Sequence, residues 1–140
     1  MIKPSIMPRF QSIVIPILRD WPALEGVKIG SWVEDIDYRE FPMLNVCKVK
    51  ESLGRDFRYP NKLETGVIEL TAYSMESLIE CEHLFNHALE ALYDAVLYQK
   101  CTDTGYLHSI RENMGMTLFD SRFMDSWRVQ GLVQLGLRPL

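Results

Sequence analysis

The chain has 140 residues, 47% of them hydrophobic and 24% charged, with a formal net charge of −4. That length and composition suit one soluble globular domain and exclude global disorder. The 15 Lys and Arg set against 19 Asp and Glu exclude a strongly basic nucleic-acid binder.

No apolar run approaches the roughly 18–20 residues that cross a bilayer, so no membrane partner is expected. Met1-Ile2-Lys3-Pro4 lacks the pattern of a secretory signal. In chain order, Phe10, Ile13, Val14, Ile17 and Leu18 recur at helical spacing between Pro8 and Asp20. Pro16 interrupts that pattern and predicts a kink or break, because a proline removes one backbone donor and crowds the preceding turn. Val27 to Val33 reads as a short strand, residues 34–42 as a charged loop, and Met43 to Lys50 as an alternating strand. A second loop, residues 51–65, leads to a clearer strand at Gly66 to Ser74.

The spacing then predicts a long helix from about Met75 to Gln99, with Ser77 and Glu80 at capping-box positions. Its apolar stripe runs through Leu78, Cys81, Phe85, Ala88, Leu92, Ala95 and Val96, and such a stripe must lie on a sheet to leave water. Tyr106 to Arg111 and Ser126 to Arg138 read as closing strands, with Gly131 and Gly136 marking a bulge or the close approach of another backbone. The expected class is therefore α+β: a mostly antiparallel sheet with an N-terminal helix and a long central helix packed on one face.

The acidic excess is local. Residues 61–99 carry Lys62 alone against seven acids, giving −6, whereas residues 1–60 and 100–140 each sum to +1. Chemistry-bearing patterns are sparse. Cys47, Cys81 and Cys101 lack paired spacing and are expected as small buried hydrophobes of a reducing compartment. Glu82, His83 and His87 share a helix but do not form the His-Glu-x-x-His pattern, and a catalytic zinc wants three protein ligands. No nucleophile elbow or phosphate-binding glycine loop is present, so the chain is read as no enzyme, with no cofactor and no metal.

The most suggestive segment interleaves Arg55, Phe57, Arg58, Tyr59 and Lys62. Such residues suit a protein interface, stack on bases, or simply face water. Arg128 and Arg138 on the last strand are further interface candidates, as guards or readers if that strand lies at a sheet edge.

Taken together, these pieces resemble the tail terminator (tail completion) proteins of long-tailed, non-contractile bacteriophages. The resemblance rests on the amphipathic first helix, Gly30-Ser31-Trp32-Val33, the Pro42–Lys50 strand, and Thr65-Gly66-Val67-Ile68-Glu69-Leu70. Beyond these lie the long helix and Trp127-Arg128-Val129-Gln130-Gly131 with Leu137-Arg138-Pro139, the most specific part. It implies a virion protein at the head-proximal end of the tail, assembled in the host cytoplasm. The implied assembly is a homo-oligomer, a hexameric ring that caps the tail tube, ends its polymerisation and joins it to the neck. The implied partners are the major tail tube protein and a head–tail connector or stopper. Phage DNA would pass through the lumen without specific binding; read from charge alone, the acidic strand and helix would repel it if part of that face were turned to the lumen. Another connector or stopper protein of the neck is the alternative reading.

Overall fold

The computed structural model describes residues 2–3, 5–31, 41–49, 54–55, 58, 62–120 and 126–140. In chain order the elements are α1 (Phe10–Arg19), a 3₁₀ turn (Pro22–Leu24), β1 (Lys28–Gly30), β2 (Met43–Lys48), β3 (Gly54–Arg55), β4 (Glu64–Ser74), α2 (Leu78–Leu97), β5 (Gly105–Phe119) and β6 (Trp127–Pro139). The strands form one six-stranded sheet in the order β1-β2-β4-β6-β5, with β3 beside β4. Every pairing is antiparallel except β1 with β2. This is the expected α+β class.

Both helices cover one face of the sheet. That face presents Leu44 and Val46 from β2, Ile68, Leu70 and Ala72 from β4, and Val129, Val133, Leu135 and Leu137 from β6, all buried. Against them α1 buries Phe10, Ile13, Val14, Ile17 and Leu18. From α2 come Cys81, Leu84, Phe85, Ala88, Leu89, Ala91, Leu92 and Ala95. The predicted stripe of α2 is thus the packed one, with Leu78 and Val96 half-buried at its ends. Ser77 caps the helix, its hydroxyl accepting a hydrogen bond from the Glu80 backbone N–H at 3.0 Å.

The break expected at Pro16 does not occur: α1 runs unbroken through it. Pro16 is exposed on the outer side of the helix, where the carbonyl left without a donor can be solvated. The strand expected over Val27–Val33 is shorter, Lys28–Gly30, and residues 32–40, which include most of the expected 34–42 loop, lie outside the described residues. The penultimate strand is far longer than the predicted Tyr106–Arg111 and ends at Phe119, after three register shifts against β6. Its second half loses strict alternation at those bulges, and the periodicity of the sequence fades there.

Gly131 sets the distance between α2 and the sheet. A Cβ at this position would lie 2.7 Å from Phe85 Cζ and 2.9 Å from the Met114 carbonyl oxygen. Both meanings read from this glycine hold: two neighbours approach closely, and β5 bulges opposite it, where the register shifts between Met114 and Thr117. Gly131→Ala is expected to cost about 2 kcal/mol through forced repacking. Gly115→Ala, where an added Cβ meets nothing within 4 Å, should stay within about 0.5 kcal/mol of the parent. Chemical denaturation of the two variants checks the contrast.

Candidate interaction surfaces

Cations gather where β4 begins and β6 finishes. Arg55 stands opposite Glu64 in the β3–β4 ladder, and Lys48 reaches the same Glu64 carboxylate at 3.5 Å. The Lys48 ammonium also lies 5.1 Å from the centre of the Phe10 ring, a cation–π contact. Arg9, Lys48 and Arg55 line a depression of about 320 Å³ together with Glu64. Beside it, the Arg138 guanidinium donates from Nε to the Lys62 carbonyl at 3.3 Å. Lys62, Arg138 and Tyr106 help to line a second depression of about 450 Å³.

The interface candidates are therefore divided. Arg55, Lys62 and Arg138 come together at one end of the sheet, and Arg58 is exposed. Phe57 and Tyr59 lie outside the described residues. Arg128 sits at the opposite end, opposite Tyr73, with its guanidinium 5.1 Å from the Phe119 ring. Nor does β6 form an edge. It is enclosed by β4 and β5, because the hairpin partner extends far enough to cover it. Arg9 and Lys48 join the basic end from two distant segments, and no spacing in the sequence connects them to Lys62.

Three acids, Glu76, Glu80 and Glu82, gather at the other end, where β4 leads into α2. The Ser74 hydroxyl donates to Glu80 Oε2 at 3.3 Å and accepts from the Glu76 backbone N–H at 3.2 Å. A hydrogen bond to Glu80, and then repulsion from its charge, pushes the Glu76 carboxyl above the usual range. The rest of the helix's outer side mixes polar and apolar groups: His87 and Glu90 pair at 3.3 Å with both side chains open to water, His83 is exposed, and so are Ile79, Tyr93 and Leu97. Among the described residues, no three His, Cys, Asp or Glu side chains converge on a point that could hold a metal ion. No helix among them is long and apolar enough to cross a membrane.

The two sheet edges are unlike. β1 offers three residues, and its Ile29 carbonyl accepts a hydrogen bond from Arg19 Nη2 at 2.8 Å. β5 offers 15, and from Arg111 to Leu118 every residue is exposed except Met114, which is half-buried. Its outward groups include Glu112, which accepts a 3.0 Å hydrogen bond from the Tyr93 hydroxyl. Burial first, and then that carboxylate, raise the tyrosine's pKa.

The three cysteines differ. Cys81 is buried as expected, its thiol donating to the Ala72 carbonyl at 3.1 Å, and burial pushes its pKa up. Cys47 is half-buried and Cys101 is exposed, because the turn after α2 faces solvent. A maleimide should therefore label Cys101 in the folded protein and Cys81 only on unfolding, as followed by mass spectrometry. Glu76→Gln supplies a pH test. The folded-state pKa of Glu76 lies above its unfolded value, so its charged form is disfavoured by folding and stability falls as pH rises through that range. The variant should gain stability at neutral pH and lose that advantage in acid, as measured by thermal unfolding at the two pH values.

Comparison with known proteins supplies the context. Residues 6–140 match the family model described as phage tail termination protein. The Gene 22 protein of Mycobacterium phage D29 is 52% identical over 132 residues, spanning 94% of both chains. The Gene 22 protein of Mycobacterium phage L5 is 49% identical over the same length and share. A match across nearly the whole chain, on a fold of the expected class and ending with the closing strand, places this protein in the phage tail termination family: it is a structural component of a phage tail.

Proposed function

We propose that this chain is the repeating subunit of a hexameric ring that sits on the last ring of the tail tube, stops its polymerisation and joins it to the neck. Family membership over residues 6–140 carries the reading. The fold supports it in physical terms. Ring subunits meet head to tail through two different surfaces, and this sheet has two unlike edges and two oppositely charged ends.

In this reading the whole chain acts as one domain whose partners are further copies of itself, the major tail tube protein and a head–tail connector or stopper. DNA passes through the lumen without a specific site. Phosphates are held where cations neutralise them, and the −6 of residues 61–99 offers little of that. The basic end, with Arg55, Arg58 and Lys62, is a contact surface within the assembly, toward the tube or a neighbouring subunit. The site of action is the head-proximal end of the tail.

Loss of the gene during infection should give tubes of uncontrolled length without attached heads, seen by electron microscopy of lysates; tails of normal length would overturn the reading. Changing Arg55, Arg58 and Lys62 together to Glu should leave folding intact and reproduce the long tails. Normal tails from that variant would remove the basic end from the assembly.

A further inference from the structure

Opposite charges stand at the two ends of a single strand. β4 has 11 residues, about 36 Å at the usual rise of an extended chain. Around its start are Arg9, Lys48, Arg55, Lys62 and Arg138, with Glu64 as an acid lining one of the same two depressions. Around its finish are Glu76, just before the cap of α2, and Glu80 and Glu82 in the opening turns of that helix. Among the described residues, two cations share that end: Arg128, engaged on the Phe119 ring, and Lys28 on β1.

Building on the ring reading, we infer that these two ends are the two halves of one head-to-tail contact, the Glu76–Glu80–Glu82 end of one subunit seating against the Arg9–Lys62–Arg138 end of the next. A ring contact between identical chains needs two different, mutually complementary patches on each chain, and opposite potentials fix both the partner and its orientation. The acidic end shows the same logic from within. Ser74 draws Glu76 and Glu80 together, its hydroxyl accepting from the Glu76 backbone N–H and donating to the Glu80 carboxylate, so like charges are concentrated where cations from a neighbour would be favoured. Nucleic acid fits the basic end alone, whereas a second copy accounts for both.

Two variants of the full chain test the contact, with sedimentation velocity at low salt and at about 0.5 M salt, where exposed charges are screened. The parent should assemble at low salt and dissociate at high salt. K62E/R138E leaves both ends acidic and E76K/E82K leaves both less acidic or basic, so each alone should associate at least about tenfold more weakly than the parent. Mixed in equal amounts, the two should assemble together, alternating around the ring. Cooperative thermal unfolding of each variant confirms its fold, and K62Q/R138Q replaces the first if it fails that check.

Variants that assemble alone as well as the parent does, or a mixture that stays dissociated, would overturn the contact. So would a parent that remains monomeric at low salt, and so would a K62E/R138E chain that assembles normally but loses retention on duplex DNA. Tail length in infected cells judges the terminator reading separately: uncontrolled tails on loss of the gene, together with assembly indifferent to these charges, would remove only the contact.

Discussion

The position of α2 on the sheet depends on a single close contact, the Phe85 ring over the hydrogen of Gly131. With no side chain at that point, the helix sinks onto β4 and β6, and the Met114 carbonyl of β5 closes in from the strand side. Several other features follow from that depth. The Cys81 thiol reaches the Ala72 carbonyl, Ser74 reaches the Glu80 carboxylate, and Tyr93 at the far end of the helix reaches Glu112 on the edge strand. A helix held even one methyl group higher would lose contacts along its length, since packed interiors leave no slack to absorb the change.

The one-sided core was legible in the sequence because burial on one face writes a period. Leu44 and Val46, then Ile68, Leu70 and Ala72, alternate as inward residues must, and the α2 stripe repeats at three and four. The cap at Ser77 was equally visible, since its chemistry is confined to four consecutive residues. What could not be read had no local period. The outer half of β5 packs on nothing that would enforce alternation, and its bulges shift the register that remains. Pro16 disrupts less than its type suggests, because the carbonyl it leaves unpaired lies toward the exposed side of α1, where water can serve it.

The interaction surfaces were half legible. Arg55, Arg58 and Lys62 stand close together in the chain, so their clustering needed no fold. Arg9, Lys48 and Arg138 come to the same end from three separate segments, and only the packing of α1, β2 and β6 around the start of β4 unites them. Arg128 moved the other way. Ten residues before Arg138 on the same strand, it lies about 33 Å distant, because an extended chain carries its residues apart as fast as it adds them. The segment that concentrates the negative charge proved to be a strand leading into a helix, so that its acids Glu76, Glu80 and Glu82 collect where one element hands over to the other.

The unlike edges of the sheet bear on how such a protein can associate by mistake. A sheet that stacks edge to edge without limit needs a receptive strand on both sides. Here one side is the 15-residue β5, bent by bulges, and the other carries the three-residue β1, with its central carbonyl already taken by Arg19. Two molecules that meet through their β5 strands present at both outer borders short segments only: β1, the Val46–Lys48 part of β2, and the two-residue β3. Among the described residues, the short β1 strand and the arginine on its carbonyl thus limit further edge-to-edge growth from that side.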